Sequence, residues 1–66
     1  MYRWPVYVGD RVAIAPHTDL WMRGVRFGHV YDRVIHPETG DILFAVSTGS
    51  DVVNLHKDDL LGAVRK

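Results

Sequence analysis

His36-Pro37-Glu38-Thr39-Gly40, followed by Asp41-Ile42-Leu43-Phe44-Ala45-Val46-Ser47, is the stretch on which the fold turns. Proline presets one turn dihedral, and Gly40 can take the left-handed conformation that leads into a returning strand. Residues 36–40 are therefore predicted to close a hairpin. The strand that follows carries Ile42, Phe44 and Val46 on one face and Leu43 and Ala45 on the other. With both faces apolar, it is predicted to be central or covered on both sides.

Outward from the hairpin, turn-forming residues recur at the spacing of short antiparallel strands. Residues 25–35 are β-branched and aromatic. Their apolar phase, set by Val25 and Phe27, breaks at Gly28 and His29 and resumes on Val30 and Val34, which predicts a bulge or sharp bend at the glycine. Upstream, Gly9-Asp10 precedes a first strand over residues 11–15, where Val12 and Ile14 share a face until Pro16 withdraws a backbone donor. Residues 16–24 are too irregular for a strand and too short for a convincing helix, and are predicted to be a long loop.

Downstream, residues 48–51 read as a tight turn and residues 52–55 as a fourth short strand. A single 3₁₀ turn over residues 56–60, anchored by Leu60, leads to a last edge strand over residues 61–64. Residues 1–8, kept to an edge by Pro5, are expected to join the sheet as an N-terminal edge segment. The expectation is one all-β domain over residues 1–66. It is a partly open, five-stranded SH3-like barrel with a long loop after strand one and a 3₁₀ turn before the last strand, filled by Val12, Ile14, Phe44, Val46 and Leu60.

The chain has 66 residues, eight basic and eight acidic, with four histidines and no cysteine. A single core of this size seldom supplies more than ~3 to 5 kcal/mol. Without cysteine, disulfides and thiolate zinc sites are closed to it as staples, which leaves self-association. Its longest run without Lys, Arg, Asp or Glu, residues 42–50, is too short to cross a bilayer, and a cytoplasmic location is expected. Zero net charge argues against strong nonspecific binding to nucleic acid. The first 33 residues nevertheless hold five arginines against three aspartates, and the remainder five acids against three bases.

Gly9-Asp10-Arg11-Val12, then Trp21, Gly24, Val25 and Gly28, resemble the opening of SH3-like barrels that include the peripheral stromal subunit of photosystem I and the type II dihydrofolate reductases. Asp58-Asp59-Leu60 after a short strand is similar to the photosystem subunit's ending, and Pro37-Glu38-Thr39-Gly40 with Ala45-Val46-Ser47 is similar to the reductases' hairpin. For the first family the resemblance implies docking of soluble electron carriers, and for the second a tetramer with a pore lined by a Val-Gln-Ile-Tyr strand. Here that strand reads Val52-Val53-Asn54-Leu55, without the glutamine and tyrosine. The resemblance therefore implies a fold and self-association more than reductase chemistry.

No His-Glu-x-x-His, phosphate-cradling glycine loop or serine elbow is present, so no catalytic, cofactor-binding or metal residue is assigned, and no enzyme is expected. His17 and Asp19 offer only two ligands, where closed zinc sites use about four. Trp21, Met22 and Arg23 at the end of the long loop, with Tyr31 reaching the same side, are the candidate partner-binding residues, because these types are enriched at protein interfaces. Trp21 has a second reading, as an inward cap on the core, and Tyr2 and Trp4 divide the same way.

The leading expectation is a non-catalytic SH3-like interaction or assembly module that binds a protein partner or itself, without cofactor or membrane insertion. A nucleic-acid-binding barrel is the alternative, built on Arg23, Arg26 and Arg33 alternating with Phe27 and Tyr31, and a reductase-like pore enzyme is the third. The four histidines are read either as a pH-dependent assembly device or as exposed turn and strand residues.

Overall fold

The computed structural model describes residues 2–49 and 51–64. Met1, Ser50, Arg65 and Lys66 lie outside the described residues, and with them the first residue of the expected N-terminal edge segment and one residue of the expected turn at 48–51. The strands are β1 (Tyr2–Arg3), β2 (Arg11–Ile14), β3 (Phe27–Ile35), β4 (Ile42–Ser47), β5 (Val52–His56) and β6 (Leu60–Val64). One short helix, α1 (Asp19–Met22), and a 3₁₀ turn, Lys57–Asp59, complete the elements. Among the described residues no helix is long and apolar enough to cross a membrane.

The all-β expectation holds, but the barrel does not. All six strands form one antiparallel sheet in the order β1-β6-β2-β3-β4-β5, open at β1 and β5, which do not pair with each other. β1 offers only two residues before Pro5, which has no N–H to give, so it cannot close the sheet. The partly open, five-stranded SH3-like barrel is thus replaced by an uncurled, open six-stranded sheet. β6, expected at an edge, instead lies inside, between β1 and β2. Gly62 permits this, since a Cβ there would stand 3.0 Å from the Arg3 carbonyl oxygen and 3.1 Å from its nitrogen, which would push β1 away.

The hairpin forms as its turn chemistry dictates. The His36 N–H donates to the Asp41 carbonyl at 2.7 Å and the Gly40 N–H to the His36 carbonyl at 2.9 Å, with Gly40 at φ 75°. β4 is central, flanked by β3 and β5. The core gathers Val6, Val12, Ile14, Val30, Phe44, Val46, Leu55, Leu60 and Ala63, which include all five residues expected inside.

The bulge in β3 falls later than the sequence implies, at Tyr31, where the register with β4 slips between Val30↔Val46 and Asp32↔Ala45. Gly28 breaks the apolar phase for another reason. It lies opposite Val12 and is packed so closely that a Cβ would collide with Val46 Cγ1 and stand 2.9 Å from the Ser47 carbonyl oxygen. The stretch expected as a loop, residues 16–24, contains α1, because Thr18 supplies the N-cap that so short a helix needs.

Candidate functional site

Across β1, β6, β2 and β3, beside α1, lies a groove of about 400 Å³. Its lining is largely aromatic and apolar, with Tyr2, Pro16, Trp21, Phe27 and Leu61 around Ala13 and Ile14, and Arg26 beside them. Register brings these together. Ala13 pairs with Phe27 on one side and Gly62 on the other, and Tyr2 pairs with Val64, so Tyr2, Ala13 and Phe27 share one face, while Ile14 belongs to the core and Trp21 to α1.

Local chemistry holds Trp21 at its end. Thr18 Oγ1 accepts the Trp21 N–H at 3.2 Å and donates its own proton to the Ala15 carbonyl at 2.8 Å, and Thr18 is buried. Trp21 is half-buried against the core, so neither of its two sequence readings is complete. Thr18→Val keeps the volume but loses both bonds. Urea denaturation is expected to register a loss of about 1 kcal/mol, with Thr18→Ser recovering most of it.

Two guanidiniums lie on the two rings. Arg26 Cζ stands 3.4 Å from the Trp21 ring centroid, and Arg11 Cζ stands 4.4 Å from that of Phe27. Arg11 reaches Phe27 diagonally, because its direct partner across β2 and β3 is His29. Arg26 is fixed through its backbone, whose carbonyl accepts the Ile14 N–H at 2.8 Å. Among the described residues no carboxylate lines the groove and no arginine forms an ion pair. The ion pairs in which both partners are described use histidine: His17 with Asp59 at 3.2 Å, and His56 with Asp58 at 3.4 Å and Asp41 at 3.8 Å.

The residues singled out by type are not one cluster. Trp21 lines the groove, whereas Met22, 72% exposed, Arg23 at the end of α1, and Tyr31, 69% exposed at the bulge, do not. His17 turns to Asp59 and Asp19 opens α1, so the two-ligand pairing does not form a metal cluster, and among the described residues none exists. Arg11 and Leu61 lie outside the candidate surface, because only strand register brings them near Phe27, and Tyr2, read as sealing the core or meeting a neighbour, lines the groove. Trp4 seals as well as faces outward: its ring stands 6.3 Å from Phe44, and its Nε1–H donates to the Leu61 carbonyl at 3.1 Å.

Compared with protein-family models, with curated proteins and with solved structures, the chain shows no match. The resemblance to the photosystem I stromal subunit and the type II reductases is therefore withdrawn, since its residues occupy an open sheet and no relative supports it. An SH3-like interaction module, a nucleic-acid-binding barrel and a reductase-like pore enzyme all presuppose the missing barrel and fall with it. What the fold defines is a small all-β domain with one open sheet, carrying an arginine-flanked aromatic groove.

Proposed function

We propose that this chain is a non-enzymatic protein-binding domain whose groove takes an apolar segment of a partner flanked by carboxylates. The observation that carries the proposal is the pair of guanidiniums laid on Trp21 and Phe27 with no carboxylate among the described residues in an ion pair with either. A stacked guanidinium keeps its N–H edge free, and that edge matches a carboxylate in bidentate geometry. The groove's charged group is the guanidinium of Arg26, whose planar fork suits recognition of a carboxylate. Met22 and Arg23, which follow Trp21 on and beyond α1, extend the surface, and Tyr31 adds an exposed aromatic farther along β3. A cytoplasmic location belongs to the same proposal, and cell fractionation tests it.

Binding is tested by following tryptophan emission as the protein is titrated with a short tryptophan-free peptide, its leucine-proline centre flanked by glutamates. The same peptide with lysines for glutamates, and a single-stranded oligonucleotide, serve as comparisons. The acidic peptide is expected to bind and the lysine peptide not to. Arg26→Gln is expected to weaken binding by about 2 kcal/mol, roughly thirtyfold, and Arg26→Lys to restore little, because an ammonium cannot stack and fork at once. Equal affinity for the two peptides, or preference for the oligonucleotide, would refute the proposal.

A further inference from the structure

The sheet's longer open edge is β5, covered only at its end, where the His56 N–H donates to Asp59 Oδ2 at 3.2 Å. Its five residues, Val52-Val53-Asn54-Leu55-His56, contain no proline, lysine or acid, and its register against β4 runs without a bulge. Such an edge presents unpaired backbone donors and acceptors and is a template for another strand. Val53 and Leu55 face the core, opposite Val46 and Phe44, while Val52, Asn54 and His56 face outward opposite Ser47, Ala45 and Leu43.

We infer that β5 pairs with β5 of a second copy of this chain, antiparallel about a two-fold axis at Asn54, to give a continuous twelve-stranded sheet. Of the possible two-fold registers this one is self-complementary. It sets inward Val53 against inward Leu55 of the other copy, Asn54 against Asn54, and Val52 against His56. Beyond the strand it brings Asp51 of each copy to Lys57 of the other, and both side chains are exposed and without an ion pair among the described residues. Moving the axis one residue on would set Val53 against Lys57 and Val52 against Asp58; moving it one residue back would set Leu55 against Asp51. Charge pairing and apolar pairing thus select the same register.

The groove lies across β1, β6, β2 and β3, so the dimer leaves two grooves open and binds a partner with two motifs by avidity. The dimer itself does not depend on what the groove holds. Sedimentation equilibrium of the full chain, from micromolar to millimolar, is expected to show a shift from the 7.5 kDa chain mass to twice that value. Asp51→Lys sets lysine against Lys57 at both ends and is expected to weaken the dimer about tenfold, and the double variant Asp51→Lys/Lys57→Asp to restore it. A chain that sediments as a monomer throughout overturns the inference. So does a dimer whose affinity Asp51→Lys leaves unchanged, or one that the charge swap fails to recover.

Discussion

Gly28→Ala is expected to remove most of the stability of this domain, a loss of about 3 kcal/mol against the ~3 to 5 kcal/mol that one small core supplies. One methyl group does this because of where it would go. The added Cβ would run into Val46 Cγ1, and Val46 is fully buried with no space to retreat. On its other side stands the Ser47 carbonyl oxygen at 2.9 Å, which is backbone of a paired strand and cannot rotate away. Either β3 lifts from β4, or the pairing of Gly28 with Val12 on β2 is lost. With a urea dependence of about 1 kcal/mol per molar for so small a chain, the midpoint should fall by about 3 M. An unchanged midpoint would mean that β4 yields freely, contrary to the packing described.

Ile14→Ala is expected to have an effect of similar size, about 3 kcal/mol, by the opposite mechanism. Ile14 is 1% exposed and among the largest fully buried side chains, so truncation leaves a cavity between β2 and the core face of β4. Ile14→Val removes one methylene and is expected to lose about 1 kcal/mol. The Ile14 backbone N–H still donates to the Arg26 carbonyl in both variants, so Arg26 keeps its backbone anchor beside the groove in whatever fraction remains folded. Urea denaturation of the two variants side by side tests the graded loss. Equal losses would show that the site relaxes around any vacancy.

The parts of this fold that were legible in the sequence are those fixed by near neighbours. Pro37 and Gly40 define the hairpin turn within five residues, and the alternation of Val12 with Ile14 and of Phe44 with Val46 declares which side chains go inside. Leu60 after the acidic pair places the 3₁₀ turn, where His56 and Asp59 form a capping box. What lay beyond reach depends on distant approach. The position of β6 between β1 and β2 needs Gly62 to admit Arg3 from the other end of the chain, and a glycine in a strand carries no sign of which neighbour it admits.

The expected barrel failed for the same reason. A periodic run of short strands states that a sheet forms, but whether its first and last edges meet is decided by β1, which has only two residues to offer. Gly28 misled in a subtler way: a phase break at glycine fits a bulge equally well as a close approach, and the bulge belongs to Tyr31, which has no turn chemistry to announce it. Trp21 was visible as an interface residue by type, and Arg26 and Phe27 as an alternating pair. Arg11, Tyr2 and Leu61 join them only through register across four strands.

The most direct test of the binding proposal is a map of backbone and side-chain amide shifts while the acidic peptide is added to uniformly labelled protein. The largest changes are expected at the Trp21 indole N–H, the Arg26 and Arg11 Nε–H, and the amides of Tyr2, Phe27 and Leu61, with the β3–β4 hairpin tip unmoved. Changes centred elsewhere, or none at saturating peptide, would contradict it.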